Sequence, residues 1–360
     1  MAPIRSPMPD PDPPDDSDPG VEAQILGLPR VAALVALGCG AGYGLLLRLV
    51  FGLEPLGDWA GVMMITFIFV VPVVIGFVTV YVLPEPGGWG RWLGMPLVAA
   101  LLTAVSALAL AWEGLICIVV WLPIFLVLAM LGGVVAGLTR RWQGRSRPLM
   151  LLAVAAVPFV LAPIESAFET PVHTRIVEDA IEIDASVEAV WREIREVPPI
   201  SADELGPSFA HRIGFPRPIE ARLEGAGVGS VRYATFEGGV TFVEAVTEWE
   251  APRVIAFTID ASAVPATTFD THVAVGGPYF DVLDGRYVIE PLADGPGGPR
   301  VRLRLASTHR LETNFNAYTR LWTDLFMRDI QQNILGVIRD RAEAAPSAAR
   351  ATPHAPSPAP

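Results

Sequence analysis

Two kinds of side chain in the second half of the sequence could do chemistry in an apolar setting. Residues 301–311 alternate as a strand does, and His309 shares one face with Val, Leu and Ser side chains. An imidazole titrates near neutral pH, so an inward His309 could orient a ligand or act as an acid or base; it could equally be a satisfied core histidine. Tyr318 and Trp322 lie on the apolar stripe of the helix that follows, where they could stack on a ligand or pack in the core.

Two glutamates on another predicted strand are the next candidates. Alternation along residues 240–249 places Glu244 and Glu248 on the same face as Val240 and Val246. If that face is buried, burial raises the pKa of a glutamate, which suits it to general acid catalysis. The alternative is that each glutamate is a charge at a sheet edge or a cavity mouth.

Residues 270–281 concentrate polar and aromatic side chains around a Gly-Gly-Pro turn. His272 and Tyr279 lie in this stretch, which could be the lid of a cavity. Asp270, His272 and Asp281 lack the tight spacing of a metal site, so we predict no metal. The sequence has no nucleophile elbow, P-loop or dinucleotide fingerprint, and we predict no cofactor.

A sheet and a helix are needed to hold these residues. Ser186 is placed to cap a short helix, and residues 201–211 resemble a second one. Residues 315–341 carry apolar side chains at helical spacing, in a stripe wide enough to cover a sheet face. A curved antiparallel sheet around this long helix would bury both apolar faces. The strands are predicted at residues 176–183, 219–223, 229–236, 240–249, 254–259, 287–291 and 301–311.

Three short motifs carry a family resemblance: ASVEAVW at residues 185–191, GVGSVR at 227–232 and WEAPR at 249–253. With the final helix, they make residues 175–343 similar to the START/Bet v 1-like superfamily, also called SRPBCC, which includes polyketide cyclase-like and lipid-transfer proteins. The resemblance implies an α+β helix-grip domain with a mostly apolar cavity between sheet and helix. Because the superfamily contains carriers, cyclases and hydrolases, it does not fix an activity.

The first half of the sequence reads as an all-α transmembrane bundle. Apolar segments span residues 31–53, 60–83, 93–112, 115–138 and 149–164. The first four reach the roughly 20 residues that a spanning helix needs, whereas the fifth is short and contains Pro158 and Pro163. We therefore predict four to five spans within residues 26–165, a START-like domain at 173–343, and disordered tails at 1–25 and 344–360.

Charge indicates the orientation and excludes one class of partner. Arg residues lie in alternate loops, and the positive-inside rule assigns those loops and the N-terminus to the cytoplasm. We predict that the bundle lies in the inner (plasma) membrane of the cell. If the fifth segment spans, the C-terminal domain is extracytoplasmic; otherwise it is cytoplasmic. A net charge of −12 without Lys argues against a nucleic-acid partner.

The whole chain further resembles a group of bacterial membrane proteins through residues 113–117, 270–277, 279–281 and 313–316.

The predicted function is a binding, carrier or sensor protein for an apolar small molecule or lipid. Its partners would be the lipid bilayer and that ligand, and the sequence does not fix an oligomeric state. The candidate cavity residues are His309, Tyr318, Trp322, Glu244, Glu248, His272 and Tyr279. Two alternatives stay open: a cyclase- or hydrolase-type enzyme that uses the same cavity, and a regulatory module that binds another protein.

Overall fold

The computed structural model describes residues 19–56, 60–85, 87–143, 147–262, 264 and 274–345. Helix α1 begins at Pro19, inside the segment that the sequence predicts to be a disordered tail. The rest of that tail, and the C-terminal tail beyond residue 345, lie outside the described residues.

Helices make up the N-terminal half. They are α1 (Pro19–Phe51), α2 (Val71–Tyr81), α3 (Trp89–Ala109), α4 (Leu115–Gln143) and α5 (Pro148–Glu165), and one wide turn at Thr66–Val70 leads into α2. Four segments of the described chain are long and apolar enough to cross a membrane: Arg30–Phe51, Trp89–Ala109, Leu115–Gln143 and Pro148–Glu165.

The lengths of two helices differ from the lengths of the apolar segments in the sequence. Pro158 and Pro163 stay inside α5, whereas the second segment has only Thr66–Tyr81 in helical form. Its helix ends where Arg140 of α4 donates hydrogen bonds to the carbonyls of Tyr81, Leu83 and Pro84. A guanidinium at a helix C-terminus satisfies carbonyls that have no partner within the helix.

Close backbone contact holds α2 against α4. A Cβ atom on Gly76 would lie 1.8 Å from the Ala129 carbonyl oxygen, and one on Gly132 would lie 1.9 Å from that of Val73. Small residues therefore set the helix spacing, as is typical of apolar helix pairs.

The Phe67 ring, in the turn before α2, meets the Trp121 ring of α4 edge-on, and the Tyr81 hydroxyl at the end of α2 donates to the Gln143 side chain at the end of α4. The end of α5 at Glu165 reaches the turn before α2.

The C-terminal half is an α+β helix-grip domain, as predicted. Seven antiparallel strands form one sheet, and the long helix α8 (Asn316–Ala344) packs against it. Ser186 caps α6 (Val187–Arg195) by accepting a hydrogen bond from the Ala189 amide. The strands are β1 (Val172–Ile183), β2 (Pro218–Glu224), β3 (Val231–Phe236), β4 (Thr241–Glu250), β5 (Val254–Asp260), β6 (Phe280–Pro291) and β7 (Val301–Glu312). Their order in the sheet is β1-β7-β6-β5-β4-β3-β2.

Two predicted elements differ from the structure. The second short helix is only α7 (Phe209–Arg212), because residues 201–208 form turns and extended chain. Strand β6 begins seven residues earlier than predicted, at Phe280 rather than Tyr287. A register shift between Val282 and Asp284, next to Gly285, breaks the alternation that would have revealed this part of the strand.

The main core of the domain lies between the sheet and α8. Leu303 and Leu305 of β7 pack with Ile338 of α8, and Trp191 meets Trp249 edge-on with centroids 5.2 Å apart. Beyond this core, the space between the sheet and α8 holds a cavity.

The two halves meet at a junction clamp, the hydrogen bonds of the Glu165 carboxylate at the end of α5. It accepts from the amides of Ile65 (2.6 Å) and Thr66 (2.8 Å) and from the Thr66 hydroxyl (2.7 Å). It also accepts from the Asn314 side chain at 2.9 Å, just before α8. One carboxylate therefore ties α5, the start of the α2 segment and the start of α8 together.

Candidate ligand cavity

A cavity of about 260 Å³ lies between the concave face of the sheet and the first half of α8. This size is just below the range of typical small-molecule pockets, about 300 to 1,000 Å³, and suits a small ligand. Most of its wall is apolar and aromatic, including Phe236, Phe242 and Phe257 on the sheet. Such a wall favours a ligand that is poorly soluble in water.

One buried ion pair interrupts this apolar wall. Arg232 of β3 and Glu244 of β4 are direct cross-strand partners, and the Arg232 Nη1 donates to the Glu244 carboxylate. Their side chains are only 5% and 6% exposed. The Arg232 guanidinium also lies over the Phe257 ring, 5.3 Å from its centroid. Its Nε–H has no hydrogen-bond partner among the described residues.

Burial sets the protonation behaviour around this pair. It raises the pKa of the Glu244 carboxyl, while the neighbouring guanidinium opposes that rise. It also raises the pKa of Tyr287, on strand β6 of the same sheet, to about 12. The site therefore holds a proton donor, the phenol, beside a charge pair that costs free energy to keep out of water.

The wall opposite the sheet is built by α8. The Tyr318 hydroxyl donates to the Val120 carbonyl oxygen of α4 at 2.5 Å. Further along α8, the Gln331 Nε2 donates to the Ser307 hydroxyl (3.0 Å) and the Val177 carbonyl (3.2 Å). The Gln331 bonds hold α8 over strands β1 and β7, and the Tyr318 bond holds it against α4.

The structure brings four of the predicted site residues to this cavity. Glu244 lies on the sheet wall, Tyr318 and Trp322 on the helix wall, and Tyr279 at the segment leading into β6. Burial raises the pKa of Tyr279 above its ordinary value. Ligand binding by these residues remains a prediction.

His309 faces inward as predicted but lies beneath α8, outside the set of cavity-lining residues. It is fully buried, its ring is 5.8 Å from that of Phe280, and neither ring nitrogen has a hydrogen-bond partner among the described residues. Burial lowers the pKa of His309, and the nearby Asp324 carboxylate opposes this. The imidazole is therefore held neutral.

The expectation that Glu248 faces inward was wrong. A β-bulge at Thr247 shifts the register between Val246 and Glu248, so the glutamate leaves the inner face. Its carboxylate instead forms two hydrogen bonds with Arg286, at 2.7 and 2.9 Å, on the outer face. The other unplaced candidate, His272, lies outside the described residues.

Sequence reasoning missed several lining residues. Arg232 had a signal, because it alternates with Ala234 and Phe236 on one face of β3. The residues contributed by the N-terminal half, among them Cys117 and Trp121, had none, because apolar side chains in an apolar helix carry no pattern that marks a site. Within the described residues, no group of three or more His, Cys, Asp or Glu side chains could hold a metal ion.

Comparisons with known proteins return structural likeness without sequence relatives. No protein-family model and no curated protein matches the chain. Norcoclaurine synthase from Thalictrum flavum aligns with 11% identity and a TM-score of 0.30, over 48% of this chain and 96% of its own. The Zhui aromatase/cyclase from Streptomyces sp. R1128 gives 17%, 0.29, 49% and 99%, and the Aha1 dimer from Colwellia psychrerythraea 14%, 0.26, 48% and 99%.

These three proteins have Bet v 1-like folds. At such identities and TM-scores, their activities carry no argument about this chain. The helix-grip assignment stands on the strand order and on α8.

Proposed function

We propose that the protein is a membrane-anchored binding, carrier or sensor protein for an apolar small molecule or lipid. The observation that carries this proposal is the largely apolar cavity under α8, with a single buried ion pair in its wall. An apolar ligand with one hydrogen-bonding group would bury its body against the aromatic wall and its polar group at Arg232 and Glu244. Anchoring would hold the cavity where a lipophilic molecule is concentrated.

The proposal includes a location in the inner (plasma) membrane with the domain on the extracytoplasmic side. The domain contacts the bundle at the start of α4 and the end of α5, whereas Arg140, Arg141 and Arg147 lie at the opposite ends of these helices. The positive-inside rule places the Arg-rich end in the cytoplasm. Arg48, which opposes this orientation by its position, is paired with Glu113.

Native mass spectrometry of the detergent-purified full-length protein tests the proposal. We expect a stoichiometric apolar molecule, identified after denaturation. Ala234→Phe fills the cavity wall and should abolish its retention, whereas Ala245→Phe places the same side chain on the exposed face of the next strand and should not. A wild-type protein that carries no apolar molecule and binds no lipid probe contradicts the proposal.

A cyclase- or hydrolase-type enzyme is the second candidate, favoured by the buried Glu244 with its raised pKa beside Tyr287. Burial raises the pKa of this carboxyl, which suits it to general acid catalysis. Incubating the protein with its identified ligand should then yield a product that differs from the ligand in mass or, for a cyclisation without loss of water, in chromatographic retention. Glu244→Gln should stop turnover while retaining the ligand, and an unchanged ligand in the wild type removes this candidate.

A further inference from the structure

The wall of the cavity is not made by the C-terminal domain alone. Cys117, Val120 and Trp121, from the first two turns of α4, line it together with Met63 and Ile68. All five belong to the apolar N-terminal half, and α4 is long and apolar enough to cross a membrane. The cavity therefore extends from the sheet to a helix that the proposed function places in lipid.

An apolar seam joins α4 to the domain. Ile116 of α4 packs against Ala210 and Phe326, with Val119 and Trp322 beside them. Across this seam, the Tyr318 hydroxyl of α8 donates a hydrogen bond to the Val120 carbonyl oxygen of α4. Apolar contacts can separate without leaving buried polar groups unpaired, whereas opening the junction clamp would break four hydrogen bonds.

Exposed leucines flank the seam. Leu321 and Leu325 on α8 are 60% and 46% exposed, and Leu115 at the start of α4 is 44% exposed. Leu321 follows Tyr318 by about one helical turn, so it lies next to the face of α8 that contacts α4. An exposed apolar face that continues the apolar surface of the bundle fits contact with acyl chains.

We propose that α4 forms one wall of the ligand site and that the ligand passes between the cavity and the bilayer through this seam, without crossing water. The inference rests on the proposed function and narrows its ligand to a membrane-soluble lipid. The acyl chains of the surrounding membrane cover Leu115, Leu321 and Leu325. The bundle then acts as part of the site in addition to being an anchor.

Photo-crosslinking tests which molecules cover the leucines. A benzophenone amino acid replaces Leu321 or Leu325 in the full-length protein, reconstituted in vesicles of phosphatidylethanolamine and phosphatidylglycerol. Val228, 67% exposed in the turn between β2 and β3, provides the matched control position. We expect phospholipid adducts at positions 321 and 325 and none at 228. Adducts no more frequent than at 228, or adducts to another protein, overturn the lipid-facing seam.

A pair of tryptophans on α4 tests the wall. Trp121 lines the cavity, whereas Trp142 lies at the far end of the same helix and is 85% exposed. Native mass spectrometry counts a pyrene-labelled fatty acid bound per full-length protein. We expect Trp121→Ala to raise the apparent Kd for this fatty acid by about tenfold, as loss of a buried aromatic contact does. Trp121→Phe should recover most of the affinity, and Trp142→Ala should match the wild type.

The outcomes separate the two proposals. If the wild type binds neither the probe nor a co-purifying apolar molecule, the proposed function fails and this inference fails with it. If the wild type binds and Trp121→Ala binds equally well with its fold intact by thermal unfolding, α4 is not a wall of the site. In that case the proposed function still stands.

Discussion

At the scale of single residues, the buried pair Arg232–Glu244 costs stability that an apolar pair would not. Glu244→Leu should destabilise the domain by about 3–5 kcal/mol, because it leaves a buried guanidinium without its partner. The double variant Arg232→Met/Glu244→Leu should be within about 1 kcal/mol of the wild type or more stable. Urea unfolding of the full-length protein in detergent measures both changes.

The exposed pair Arg222–Glu224 is the matched control for this cycle. Its side chains are 64% and 54% exposed, and the same substitutions there should change stability by less than about 0.5 kcal/mol. A double variant at the buried pair that is as unstable as Glu244→Leu alone would show that the pair is needed for folding. In that case the need to fold, rather than ligand binding, would explain why the cavity wall contains this ion pair.

His309 predicts a pH dependence of stability whose sign follows from its lowered pKa. In the unfolded chain the His309 imidazole takes up a proton near pH 6.5, whereas the folded domain resists that protonation. The contribution of the neutral imidazole to the free energy of unfolding is therefore complete above about pH 6.5. It is lost as pH falls toward the pKa of His309 in the folded domain. His309→Leu should flatten the fall of the thermal midpoint between pH 7 and pH 5. His173→Leu, at an exposed position, should leave the wild-type slope unchanged; parallel curves for wild type and His309→Leu contradict the prediction.

At the scale of elements, the junction clamp predicts local rather than global effects. Glu165→Ala removes the acceptor for the amides of Ile65 and Thr66, a loss comparable to that of a helix N-cap, about 1–2 kcal/mol. Hydrogen–deuterium exchange should quicken in the peptides that start the α2 segment and α8, and hardly change in β7. The exposed Glu169→Ala is the control, and equal exchange in both variants would mean that the clamp does not hold the two halves together.

Elements with an unbroken pattern could be predicted from the sequence. Strand β7 alternates over its whole length and pairs on both sides, so its inner face was predicted, including the burial of His309. The prediction failed where one extra residue breaks the period of two, as at Thr247 before Glu248 and in the first half of β6. A bulge is fixed by pairing with neighbouring strands, and a single strand's sequence does not show that pairing.

The site as a whole could be predicted only in part, for the same reason. Glu244, Tyr318 and Trp322 were found because each lies on an apolar face with a readable period. The contribution of α4 depends on how two halves of the chain dock, through contacts such as Phe69 with Phe315, centroids 5.9 Å apart. No local pattern encodes that docking.

At the scale of the whole molecule, the placement of the domain predicts the sidedness of the chain. The domain and the Arg-rich end of α4 lie at opposite ends of the bundle, so a membrane that contains the bundle must separate them. Alkaline phosphatase fused after residue 345 should be active in intact cells, and green fluorescent protein fused there and exported unfolded should be dark. After Gln143 the same two reporters should give the reverse result. The same signal from both fusion sites would place Gln143 and the domain on one side of the membrane. A spanning α5, which runs from Pro148 to Glu165, does not allow that arrangement, so this result would contradict the predicted sidedness.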